Sequence, residues 1–157
     1  MTLYLLAFLI VVVVPIGTIV HELGHGIVAL FAKADSVTLR IGLGKHIKTY
    51  ELNRFTIHLN AIFFVGGLTE SKRTPIYNAK EKILIALGGP VCNAILAVLF
   101  ITLFYPTHNP YIQLFTLFQA WLMLINIIPF KWKGKKSDGY TIVQAISSGI
   151  ARNTTKK

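Results

Sequence analysis

Acidic residues are scarce in this chain: six Asp and Glu stand against sixteen Lys and Arg. Charge of either sign is thin, at 14% of the 157 residues, where a soluble domain carries about 25%. That deficit, with 54% hydrophobic residues and long apolar runs, excludes an ordinary soluble domain and indicates a membrane protein. Cysteine is nearly absent. The single Cys92 lies in an apolar run and excludes an internal disulfide. Positive charge is missing from Met1 and Thr2, so the first apolar run lacks the basic start of a signal peptide. It is also too long for one, although Ala32-Lys33-Ala34 resembles a cleavage site.

Three apolar stretches are present, about Leu3–Ala32, Ile83–Tyr105 and Tyr111–Phe130. Each is near or above the ~20 residues that cross a bilayer as a helix. The net charge of +10 would raise the question of nucleic acid in a soluble protein, but here placement decides. Nine Lys and Arg fall between the first and second spans and seven follow the third. The short 106–110 connection carries none. Three spans put both basic regions on one side of the membrane. The positive-inside rule then places the N-terminus outside and the C-terminus in the cytoplasm. The charge is a topology signal facing the lipid bilayer, and no nucleic-acid partner is expected. The short chain suggests a bacterial inner membrane.

Between the first two spans, 36–67 changes character. Val37, Leu39, Ile41 and Leu43 alternate, as do Phe55, Ile57 and Leu59, with Gly42 and Gly44 as turn punctuation. A small cytoplasmic β-sheet of short strands is expected. Asn78 with Glu81 marks a helix start. After the third span, Tyr140, Val143, Ile146 and Ile150 recur near helical spacing, as in a short amphipathic helix lying at the interface. The fold class is therefore a mainly α-helical membrane protein. It has three core spans, a β-rich insert and a C-terminal interfacial helix, all in a single domain, 1–157.

The first span ends in HELGH. His21 and His25, four apart on a helix, share one face and can hold one metal ion. Glu22 sits beside the first ligand and can reach the metal's water without binding the ion. Zinc in a catalytic site takes three protein ligands plus water and lowers the pKa of that water to about 7. Glu22 is then the general base that takes the water's proton and can pass it to a leaving amine. A third ligand is required, and Asp35, Glu51, Glu70, Glu81 and Asp138 are available. The remaining histidines, His46, His58 and His108, have no partner spacing and read as surface or sheet residues.

HELGH, then GGPVCN at 88–93 opening a hydrophobic helix, then NIIPF at 126–130 followed by Asp138-Gly139, occur in this order over nearly the whole chain. In this the sequence resembles the site-2 protease family of intramembrane zinc metalloproteases. The resemblance implies a zinc cofactor, and Asp138 as the third ligand beside His21 and His25. It also implies a catalytic Glu22, and Asn93 near the metal, holding the substrate strand or polarising the scissile carbonyl. The implied partner is a membrane protein or peptide, cut within or beside its transmembrane segment. Pro90 is expected to kink or open the second helix, and Pro129 to end the third. The segment FKWKGKKS, 130–137, is longer and more basic than the family's usual link to the aspartate.

Two other readings compete. A metal transporter needs acidic or polar ligands on several spans, but the second span offers only Cys92, Asn93 and Thr102, and the third Gln113, Gln119 and Asn126 with no carboxylate. A catalytically silent zinc-binding protein that binds or regulates other membrane proteins would usually have lost the base or a ligand, and all four residues are present.

Overall fold

The computed structural model describes residues 2–104 and 107–154. Tyr105, the expected end of the second span, and Lys156 and Lys157 lie outside the described residues. The first apolar run is helical from α1 (Thr2–Phe8) through a π-helical turn at Leu9–Val13 into α2 (Val14–Phe31). The π turn has a local cause. Pro15 offers no N–H and crowds the preceding turn, and the ladder widens so that Val14 N–H reaches Leu9 O. His21 lies ~27 Å along the axis from Leu3 at 1.5 Å per residue, close to one hydrocarbon thickness.

Two further helices follow the β-rich insert, α3 (Ala79–Phe104) and α4 (Pro110–Ile127). Among the described residues, these and Leu3–Phe31 are the three helices long and apolar enough to cross a membrane. Their outward faces are apolar too: Leu3, Val98, Leu103 and Leu117 are each at least 60% exposed. Helices apolar on all sides suit lipid rather than water.

Strands β1 (Ser36–Leu52) and β2 (Phe55–Lys72) are longer than the expected short strands, and β2 runs past residue 67. Residues 46–52 pair with 55–60 across the turn. Residues 37–41 pair with 55–59, and residues 36–41 pair with 67–72, so the two strands curl on themselves. Gly42 and Gly44 are bends inside β1 rather than turns between strands. Both have positive φ, and a Cβ on Gly42 would meet Phe63 Cα at 2.5 Å. The GLTESK segment, 67–72, completes β2, its backbone paired against 36–41.

The start of α3 is fixed by a capping box. Asn78 Oδ1 accepts from Glu81 N at 3.0 Å, and Asn78 N donates to Glu81 Oε2 at 2.8 Å. Arg73 clamps the same glutamate with two bonds of 2.7 Å and donates a third, also 2.7 Å, to Ala32 O at the end of α2. One guanidinium thus ties the end of α2 to the start of α3. Helix α3 does not open at Pro90 but continues to Phe104. A proline costs the helix one bond one turn back, and α3 gains packing against α2 that holds it together. Helix α4 ends as expected, with Ile128 extended just before Pro129. A small hairpin, β3 (Lys131–Trp132) and β4 (Lys135–Lys136), leads to α5 (Asp138–Thr154), which packs on α3 and α4.

Candidate metal centre

The centre lies where α2, α3 and α5 meet. Helices α2 and α3 approach with no side chains between them: a Cβ on Gly24 would run into Gly88 O, and one on Gly88 would stand 2.5 Å from Gly24 O. This contact places His21 and His25 against the second helix. Both imidazoles are nearly buried, at 6% and 9% exposure.

Each ring is oriented through Nδ1. His21 Nδ1 lies 2.6 Å from Asn93 Oδ1, and His25 Nδ1 lies 2.7 Å from Ile85 O. Carbonyl oxygens only accept, so both Nδ1 atoms carry hydrogen and donate. Gly89 N also lies 3.3 Å from His25 Nδ1. The shorter contact to a carbonyl decides the tautomer. Both Nε2 atoms are then left with bare lone pairs. They face each other at 3.2 Å and face the Asp138 carboxylate at 3.1 and 3.3 Å. Two lone pairs and an anion converging without a hydrogen between them form a repulsive arrangement until a proton or a cation enters.

A metal fits this donor set. Zinc at about 2.0–2.1 Å in a tetrahedron holds its ligand atoms about 3.3–3.4 Å apart, close to the three separations found. Space is kept for an ion as well. A Cβ on Gly89 would stand 2.5 Å from His25 Nε2 and 2.7 Å from His21 Nε2, so only glycine leaves the middle of the cluster open. His21, His25 and Asp138 are the group among the described residues that could hold a metal. Asp35, Glu70 and Glu81 are engaged elsewhere: Asp35 with Thr74 N, Glu70 with Arg40, and Glu81 with Arg73.

Asp138 reaches the site although eight residues, FKWKGKKS, separate it from Pro129. The β3–β4 excursion is clipped at its base. Ser137 Oγ donates to Ile128 O at 2.8 Å and accepts from Phe130 N at 3.0 Å and Tyr140 N at 3.1 Å. It thereby caps α5 and closes the loop. Gly139 is needed because a Cβ there would strike Ile127 O.

Asn93 is fully buried and its amide is saturated. It accepts from His21, and its Nδ2 donates to Gly17 O at 3.2 Å and to Gln119 Oε1 at 2.6 Å. Gln119, also fully buried, extends the line from the metal cluster to α4, and its Nε2 has no partner among the described residues. Gln119, Ser137 and Gly89 did not stand out in the sequence as site residues. An amide in the middle of an apolar span is the one available signal, since a buried amide at membrane depth needs a partner. His46 and His58, without partner spacing in sequence, meet across the sheet: both contact Thr49 Oγ1, at 3.1 and 2.9 Å. The strand register supplies that contact, because Thr49 is paired with His58.

Glu22 lines a cavity of about 850 Å³ that also contains His21, His25 and Asp138. Its other walls come from β2, the start of α3 and the β3–β4 hairpin. Helices long and apolar enough to cross a membrane surround a His–His–Asp group that could hold a metal, open to a cleft with a further carboxylate, an arrangement that suits a membrane metallohydrolase. The sequence profile of Peptidase family M50 matches residues 5–157. The chain belongs to that family, the site-2 protease family, and is a metallopeptidase. No curated protein sequence matches the chain.

Proposed function

We propose that this protein is an intramembrane zinc endopeptidase that cuts membrane-protein substrates within or beside a transmembrane segment. His21, His25 and Asp138 hold the metal and Glu22 is the general base. The observation that carries this reading is the pair of fixed tautomers: both Nδ1–H groups are bonded, and both Nε2 lone pairs meet Asp138. Zinc in this place would supply a Lewis acid and a water acidified to near neutrality. Glu22 takes the proton of the attacking water and delivers it to the leaving amine. The walls of the cleft keep the peptide aligned and keep bulk lipid out.

The topology that suits this chemistry has the N-terminus outside, the metal near the cytoplasmic face and α5 at the interface. Zinc measured per chain in detergent-purified protein tests the ligand set. Wild type should hold about one, and Asp138→Ala sharply less, because a catalytic site needs three protein ligands. Zinc retained in that variant would move the third ligand elsewhere. A wild type free of zinc would sink the proposal.

Asn93, with no amide hydrogen to spare, acts through His21 as a positioning residue rather than on substrate. Asn93→Ala leaves a buried Nδ1–H without its acceptor and should weaken zinc about 10–100-fold in chelator competition. Unchanged zinc affinity with a raised KM would instead return Asn93 to the substrate.

Residues 67–71 of β2 border the cleft and offer a strand edge to an unwound substrate. Proline scanned through this edge should lower cleavage at the positions whose N–H points outward. Cleavage unchanged at every position would rule out strand addition.

A further inference from the structure

The cleft has a basic lip that the metal chemistry does not use. Lys82, in the first turn of α3, and Lys135 and Lys136, on β4, line the same cavity as His21 and Glu22. All three lysines are exposed. Lys136 is pinned, with Nζ donating to Gln144 Oε1 at 2.8 Å and standing 5.6 Å over the Tyr140 ring. The only carboxylates on the cavity wall are Glu22 and Asp138, both taken by the metal site in the reading above. Asp35, Glu70 and Glu81 are bonded elsewhere, as described, and Glu51 is paired with Thr56 in the sheet, off the cavity wall.

The hairpin that carries the lip works against itself. Lys131 lies directly opposite Lys136, a like-charge cross-strand pair, and such pairs are destabilising. Its two-residue turn has positive φ at both Lys133 and Gly134. This is a tight primed turn that holds the strands, and their charges, together. A self-repelling basic hairpin beside an acid-poor cleft calls for an anion from outside.

We propose that the lip selects substrates with an acidic segment flanking the scissile bond, received by Lys82, Lys135 and Lys136. The inference rests on the peptidase reading of the cleft. A peptide is favoured over a lipid headgroup because these lysines line the same open cleft as His21, Glu22, His25 and Asp138, where a peptide in place for hydrolysis would lie. Trp132, 70% exposed on the adjoining strand, adds an apolar surface to the same wall. Each exposed charge pair contributes little, but three acting together give a preference of about tenfold.

The test is binding, read apart from cleavage. Full-length Glu22→Gln protein in phosphatidylcholine nanodiscs is titrated with two fluorescent transmembrane peptides. They are identical except for a cytoplasmic flank of Asp and Glu or of Asn and Gln. The acidic peptide should bind about tenfold tighter at low salt, and the difference should collapse at about 0.5 M salt. The double swap Lys82→Glu with Lys135→Glu should keep its zinc and prefer a lysine-flanked peptide, a gain that misfolding cannot mimic. Equal affinities, no binding of either peptide, or a preference untouched by the swap would overturn the inference. So would a requirement for anionic lipid that is the same for both peptides, which would assign the lysines to the membrane. Wild-type cleavage of the same peptides separates the two claims. Preference without cleavage sinks the peptidase reading alone, and cleavage without preference sinks the lip alone.

Discussion

Glu22→Gln protein should hold about one zinc per chain and cleave about 10²–10⁴-fold more slowly than wild type, the range a positioned general base contributes. The side chain keeps its size and its place on the cavity wall. What it loses is the ability to take a proton at neutral pH. Glu22 is outside the cluster formed by His21, His25 and Asp138, so the metal should stay. Zinc analysis beside a cleavage assay in proteoliposomes reads both halves. A variant that lost its zinc would place Glu22 among the ligands. A variant that kept full biological activity would favour the silent zinc-binding alternative, in which the chain acts by holding membrane proteins rather than cutting them.

Gly89→Ala should abolish zinc binding while leaving the helix intact. The new methyl group would stand between the two Nε2 atoms, 2.5 and 2.7 Å away, in the space an ion shared by those nitrogens would need. Alanine is the better helix former by roughly 1 kcal/mol, so α3 itself is favoured by the change. Helical content by circular dichroism should therefore match wild type, with metal content near zero. Gly88→Ala is the contrast. Its methyl would meet Gly24 O on the neighbouring helix, so it should lower thermal stability as well. Normal zinc in Gly89→Ala would show that the ion sits away from this face of α3.

The sequence made some of this legible and not the rest. HELGH pairs His21 with His25 because four residues on a helix is a local relation. The Asn78–Glu81 box was equally local, and the spans followed from length and hydropathy. Asp138 meets His21 across 117 residues, a relation that no spacing encodes. There the family resemblance, not periodicity, picked it from five carboxylates. Gly42 and Gly44 looked like turns because positive φ serves both turns and bends, and only pairing with 55–72 tells them apart. Pro90 suggests a kinked or opened helix, and α3 runs unbroken through it. Packing of Gly88 and Gly89 against α2 held it shut. Gln119 is visible only as one of three amides, with Gln113 and Asn126, in a greasy helix. Its meaning depends on Asn93, which reaches it from α3.

Ser137 joins the two ends of the basic hairpin with its own hydroxyl, before the chain turns into α5. Whatever lies between Phe130 and Ser137 is thereby a cassette. Its length, sequence and charge can be exchanged while the aspartate that follows stays in place. On the proposed role of the basic lip, recognition and hydrolysis are then separable traits of one short polypeptide. A transplanted segment should retarget the enzyme without retuning its metal.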